Sequence, residues 1–182
     1  MKETKQMTMN AIAGDLMQLV SFRVGEEEFG VDIMKVQEIN RMNLVAPVPN
    51  APQYVSGIMN LRGKVIPIID LRQRFHRGKQ EQDKETRIIV VELRSRIIGF
   101  VVDAVNEVLR IPQSVTEPPP PMVSGIECEY ITAICKLDDR LLILIDLEKI
   151  LPIDAGQETI HVAEEQQCVI QKTPNNQLTS HH

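Results

Sequence analysis

The stretch YVSGIMNLRGKVIPIIDL, residues 54–71, meets a near copy of itself in YITAICKLDDRLLILIDL, residues 130–147, and that echo decides the fold class. Tyr54, Ile58, Leu61 and Ile69-Asp70-Leu71 recur 76 residues later as Tyr130, Ile134, Leu137 and Ile145-Asp146-Leu147. A fixed offset of this kind marks an internal repeat, which outranks any local propensity as a guide to architecture. Each copy is an apolar run, a polar break (Leu61-Arg62-Gly63-Lys64 or Leu137-Asp138-Asp139-Arg140) and a second run rich in Val, Ile or Leu, the pattern of a β-hairpin. Arg62 therefore falls at a turn tip rather than inside an apolar strand, and Gly63 is the residue type that accepts positive φ there most easily. Asp70 and Asp146 stand before LRQRF and LEKIL, so each reads as the N-cap of a one-turn helix, the second stopped by Pro152.

The repeat extends towards the N-terminus of each copy. Phe29-Gly30-Val31-Asp32 leading to Val36-Gln37-Glu38-Ile39 returns as Ile98-Gly99-Phe100-Val101 leading to Val105-Asn106-Glu107-Val108, now 69 residues on. The change of offset falls in the loop holding Pro118 to Pro121. Leu19–Val24 and Ile88–Leu93 are apolar runs followed by turn material, Gly25-Glu26-Glu27 and Arg94-Ser95-Arg96, and so form the first arms of two more hairpins. In the second arm the apolar phase shifts from Val31 and Ile33 to Met34 and Val36, which predicts a β-bulge. Gly30 and Gly99 precede that shift, where a bend or a close backbone approach favours glycine.

Many short strands with no room for long helices predict an all-β protein: two five-stranded barrels in tandem, with short helical turns. The expected boundaries are a flexible N-terminal segment at 1–17, a domain at 18–153 with subdomains near 18–75 and 86–152, and a polar, disordered tail at 154–182. His76 to Lys84 is a polar linker between the two.

Composition limits what such a domain does. A formal net charge of −5 across 182 residues argues against condensation on nucleic acid or an anionic membrane, and 3% aromatic content with no Trp removes most stacking platforms. The N-terminus lacks the apolar core of a secretory signal and no run approaches a membrane-spanning length, so a cytoplasmic protein without direct membrane insertion is expected. Cys128, Cys135 and Cys168 are odd in number and have no C-x-x-C spacing, as in a reducing compartment. Of four histidines, His161, His181 and His182 lie in the tail and His76 in the linker. No zinc, nucleophile-elbow or phosphate-loop motif is present, so no catalytic residue, metal or cofactor is assigned.

One asymmetry stands out between the matched halves. Glu38 and Glu107 correspond, but position 62 is Arg where position 138 is Asp, so only the first half is expected to pair this Glu with an Arg on the next hairpin. Arg offers a rigid fork of donors suited to a partner surface, whereas a plain surface ion pair is worth about 0–1 kcal/mol. A second candidate surface is the seam between the barrels, with Val36, Val105 and Val108 at matching strand positions.

FGVDIMKVQEI, YVSGIMNLRGKVIPIIDL, GFVVDAVNEVLRI and LLILIDLEKIL, in this order and spacing over about residues 18–152, closely resemble the CheW family, the coupling proteins of bacterial chemotaxis. The resemblance implies two intertwined SH3-like barrels without catalytic activity or cofactor. It also implies two partners: the cytoplasmic tip of methyl-accepting chemoreceptors and the regulatory domain of the histidine kinase CheA. Carried over position by position, Val36, Arg62, Gly99, Val105 and Val108 would contact the receptor, and Glu38, Gly57 and Gly63 would serve coupling to the kinase. A similar adaptor in another receptor–kinase pathway, or a small barrel binding nucleic acid or a small ligand, are the other readings; the latter would require a basic or aromatic face.

Overall fold

The computed structural model of the chain describes residues 16–42, 45–78, 81–121 and 129–151. The expected N-terminal segment and C-terminal tail, Pro152, Cys128 and Cys168 lie outside these residues. The described chain is mostly strand, as the repeat predicts. In order it runs β1 (Leu16–Val24), β2 (Glu27–Asp32), a 3-10 turn (Ile33–Lys35), β3 (Val36–Arg41), β4 (Val55–Leu61), β5 (Lys64–Asp70) and α1 (Leu71–Arg74). The second half runs β6 (Arg87–Leu93), β7 (Arg96–Val102), β8 (Ala104–Pro112), a 3-10 turn (Gln113–Val115), β9 (Thr116–Glu117), β10 (Ile131–Lys136), β11 (Leu141–Ile145) and α2 (Leu147–Ile150).

The strands form two sheets, but not in the tandem arrangement expected from residues 18–75 and 86–152. One sheet has the order β3-β6-β7-β5-β4 and the other β8-β1-β2-β11-β10-β9. Each subdomain thus joins the first hairpin of one repeat to the later strands of the other. The reason lies in the connections. β3 follows β2 after only Ile33–Lys35, and β8 follows β7 after Asp103 alone. Were β3 to lie beside β1 in the same sheet, it would run parallel to β2, and its start would lie a strand length, about 20 Å, back from the end of β2. Three residues reach about 10 Å, and a parallel return needs a dozen residues or more. The short crossover instead carries the chain into the opposite sheet. The phase shift at Met34 is therefore this change of sheet through a 3-10 turn, with Asp32 accepting the Met34 N–H at 2.9 Å, and not the β-bulge expected there. A bulge does occur one step later, between Val36 and Glu38.

Hairpin exchange knits both repeats into one central core. Phe22, Val24 and Val31 from the first hairpin pack in the same cluster as Phe100, Ile89 and Val91 from the second, together with Ile69, Leu71, Ile145, Leu147 and Ile150. Two smaller clusters each belong to one sheet, one around Ile68, Ile88 and Val90 and the other around Leu19, Cys135 and Leu142. Gly30 and Gly99 are closely approached, as their position suggested. Gly99 is opposite Ile68 on parallel β5, and an added Cβ would lie 2.6 Å from Ile68 Cδ1 and 2.8 Å from Ile88 Cγ2. Gly30 meets Leu144 in the same way on β11, at 2.9 Å.

Both expected caps are present. Asp70 Oδ1 accepts the Gln73 N–H at 3.2 Å and Asp146 Oδ1 accepts the Glu148 N–H at 3.0 Å. Burial pushes the Asp70 carboxyl above its ordinary range, against the lowering pull of the Gln73 and Arg72 N–H groups. A carboxyl whose pKa is higher folded than unfolded costs stability once ionised. The cost is absent below the unfolded value, grows as pH rises towards the raised value, and is complete above it. Asp70→Asn keeps an acceptor and does not ionise, so its stability relative to the parent is expected to be more favourable at pH 7 than at pH 3. Asp70→Ala loses the cap, at a cost of about 1 kcal/mol. Urea titrations of the two variants at both pH values check this, and a D70N advantage that does not grow with pH contradicts it.

Candidate functional site

The candidate site is a surface, built from hairpin tips and one cleft. Arg62 and Gly63 are the two central residues of the β4–β5 turn, with φ of 53° and 86°, both positive as a tight hairpin turn matched to the strand twist requires. Asn60 Oδ1 accepts the Gly63 N–H at 2.8 Å and secures the turn. The turn throws the Arg62 side chain out, 81% exposed, and its guanidinium donates to Glu38 Oε2 at 2.6 Å. The pair anticipated between Glu38 and Arg62 is therefore formed.

The expected asymmetry is not. In the second half, Arg140 donates to Glu107 Oε1 at 2.6 Å and also lies 3.0 Å from Glu28 Oε2, while Asn106 Nδ2 donates to Glu28 Oε1 at 2.9 Å. Glu107, and then the Glu28 charge, raise the pKa of Arg140 above its ordinary value. Comparison at a fixed offset matched position 62 to Asp138 and missed this partner. Here Asp138 and Asp139 are the two central residues, and Arg140, whose carbonyl accepts the Leu137 N–H at 2.9 Å, opens the returning arm at the position equivalent to Lys64. Both subdomains thus hold the corresponding Glu with an Arg from a hairpin tip.

The remaining positions separate into interior and surface. Gly57 and Gly99 are buried in β4 and β7, so any partner effect of changing them passes through the fold. Gly57 has φ of 145°, and an added Cβ would overlap the carbonyl of Ala46, which is bridged to Ile58 by hydrogen bonds of 2.8 and 2.9 Å. Val36 and Val105 are half-buried against the shared central core and pair with Val91 and Phe22. Val108 is 53% exposed on β8.

An open cleft of about 520 Å³ lies beside the crossover from β2 to β3. Leu16, Met17, Ile33, Met34, Leu144 and Ile145 give it an apolar lining, and Lys35 and Asp146 form a charged edge, 3.4 Å apart. None of Val36, Val105 and Val108 lines it. Met34 is the most exposed large apolar residue of the described chain, at 86%, and Leu16 is 45% exposed. The sequence carries one signal of this site: Met34 breaks the alternation of the strand before it, a shift that predicts a β-bulge and does not by itself show an apolar group left on the surface.

The chain matches a family model described as the CheW-like domain over residues 18–155. It is 38% identical to the chemotaxis protein CheW of Klebsiella aerogenes over 146 residues, covering 79% of this chain and 88% of that one. It is 32% identical to the chemotaxis protein CheW of Bacillus subtilis over 154 residues, covering 85% and 97%. Among solved structures, the scaffolding protein TtCheW from Thermoanaerobacter tengcongensis superposes with a TM-score of 0.70 at 40% identity, covering 76% of this chain and 90% of that one.

Proposed function

The chain belongs to the CheW family, and from that premise we propose that it is a non-catalytic, cytoplasmic scaffold coupling the cytoplasmic tip of transmembrane chemoreceptors to the regulatory domain of the histidine kinase CheA. The observation that carries this reading is the family match, which spans both repeats and every described strand from β2 to β11. The surfaces support it. A scaffold needs separate places for separate partners, and this fold offers an apolar cleft at the crossover and two Arg–Glu tips on different subdomains. An extended, largely apolar groove with charged edges suits an amphipathic helix from a receptor. Val36, Val105 and Val108 are proposed to extend that contact, and Arg62, held by Glu38 on the turn that Gly63 makes possible, to anchor a partner at the rim. Gly57 and Gly99 would support those surfaces from within. Holding receptor and kinase on one body raises their effective concentration and lets small movements of one reach the other.

A ternary pull-down tests the reading: receptor cytoplasmic fragment and CheA, each alone and then together, with the parent chain and Arg62→Ala. The parent is expected to bring both into one complex. Arg62→Ala is expected to weaken that assembly by about tenfold or more, the effect of losing an anchoring Arg. Its melting temperature should barely move, since an exposed pair contributes about 0–1 kcal/mol. Failure of the parent to join the two partners overturns the function, and undiminished assembly by Arg62→Ala overturns the role given to Arg62.

A further inference from the structure

Two further ion clusters stand where the parallel strands of each subdomain end. β5 runs parallel to β7, so α1 begins beside the crossover that leaves β7. There Arg72 Nε donates to both carboxylate oxygens of Asp103 at 2.9 Å, both side chains being 19% exposed, and Asp103 also accepts the Gly25 N–H at 2.7 Å. β11 runs parallel to β2, so α2 begins beside the crossover that leaves β2. There Lys35 Nζ lies 3.3 Å from Glu148 and 3.4 Å from Asp146, with Arg94 a further 3.6 Å from Glu148. Arg72 and Glu148 are equivalent in the repeat, 76 residues apart, and Asp103 and Lys35 sit on equivalent crossovers. The two clusters are the same junction with the charges reversed.

We propose that this reversal makes each repeat pair with the unlike repeat, and so keeps the exchanged hairpins within one chain instead of between like repeats of two chains. Short crossovers force every hairpin into the sheet of another repeat, but nothing in them says which repeat. At the junctions themselves the apolar positions do not discriminate, because Ile69 and Leu71 match Ile145 and Leu147, although the hairpin cores differ in shape at Phe22 and Val91, Phe29 and Ile98, and Val31 and Phe100. Like pairing between two copies would set β2 of one beside β5 of the other, and β7 beside β11. In the first junction Lys35 would then meet Arg72, with Asp70 as the carboxylate nearest both. In the second, Asp103 would lose Arg72 and face Asp146 and Glu148, with the more exposed Arg94 as their cation. Like charges in a partly dehydrated junction cost more than the same pair in water, and a polar device of this kind selects register and partner where apolar packing does not. Repeat 1 also contributes Glu28 to Arg140 of repeat 2, whereas the position equivalent to Glu28 is Ile97, so like pairing would leave Arg140 facing Ile97 and set Glu28 beside Lys64, the equivalent of Arg140.

The test uses the full chain with Cys128, Cys135 and Cys168 replaced by Ala. Arg72→Glu with Glu148→Arg gives clashes in the unlike pairing and attraction in the like one. Adding Asp103→Arg and Lys35→Glu restores attraction in the unlike pairing. Gln18 and Arg110 are opposite each other on β1 and β8, and Arg41 is the equivalent of Arg110 in repeat 1. A short thiol cross-linker acting on Gln18→Cys with Arg110→Cys therefore reports unlike pairing, and on Gln18→Cys with Arg41→Cys reports like pairing between chains. After refolding from urea, the parent charges are expected to give the intrachain 18–110 product and monomer mass by light scattering. The two-site variant should lose most of that product and gain cross-linked 18–41 dimers, and the four-site variant should return to the monomer. A two-site variant that refolds in neither pairing also supports the proposal, provided that the four-site variant recovers the 18–110 product. A two-site variant that stays monomeric with an undiminished 18–110 product overturns it, as does a four-site variant that does not recover. No partner enters the readout, so the outcome is independent of the proposed coupling function.

Discussion

Gly57→Ala is expected to destabilise the protein by about 3 kcal/mol or more, through two costs that add. The first is backbone strain, because φ of 145° is a region that residues with a Cβ rarely enter. The second is overlap with backbone. The new methyl would meet the carbonyl of Ala46, which does not swing aside as a side chain does, and relief means parting Ala46 from Ile58 and losing both bridging hydrogen bonds. Gly63→Ala is the control: its φ is 86°, but no atom lies within 4 Å of an added Cβ, so only the conformational cost of about 1 kcal/mol applies. Urea denaturation followed by circular dichroism measures both. A Gly57→Ala loss no larger than that of Gly63→Ala would show that the overlap relaxes freely.

Phe100→Ala is expected to cost about 3–5 kcal/mol and to unfold both subdomains together. Phe100 is fully buried on β7 in the one cluster that also holds Phe22 and Val31 of β1 and β2 and Ile145 of β11. Each subdomain contains a hairpin of the other repeat, so neither half of the chain completes a sheet without the other. Denaturation should therefore show one transition by far-ultraviolet circular dichroism and by hydrogen exchange in both sheets, shifted to lower urea in the variant. Two separable transitions would contradict a shared core.

Most of the secondary structure was readable because strand, turn and cap are local. Alternating Val and Ile, the Leu61–Lys64 turn and the Asp70 and Asp146 caps depend on residues within a few positions of each other. The pairing of Glu38 with Arg62 was readable for a related reason, since β3 and the β4–β5 hairpin belong to one repeat. Its counterpart comes from a different place on the hairpin: Arg140 reaches Glu107 from the start of the returning arm, the position equivalent to Lys64, and not from the turn position equivalent to Arg62. Gly99 showed that it was needed but not why, since its neighbour Ile68 becomes adjacent only through a parallel pairing of strands from different repeats.

By itself, the sequence determined that the chain is a duplicated β unit, where its hairpins turn and where its short helices begin. These follow from steric preferences of the backbone and from the period of apolar residues, which act over a few residues at a time. Only the tertiary structure decided which hairpin joins which sheet, how the central core is shared, and that Met34 and Leu16 open onto a cleft beside Lys35 and Asp146. The cause is the length of two connections. A three-residue link is too short to bring β3 back parallel to β2 beside β1, and here it carries the chain across to the other sheet, from which the contacts between repeats follow.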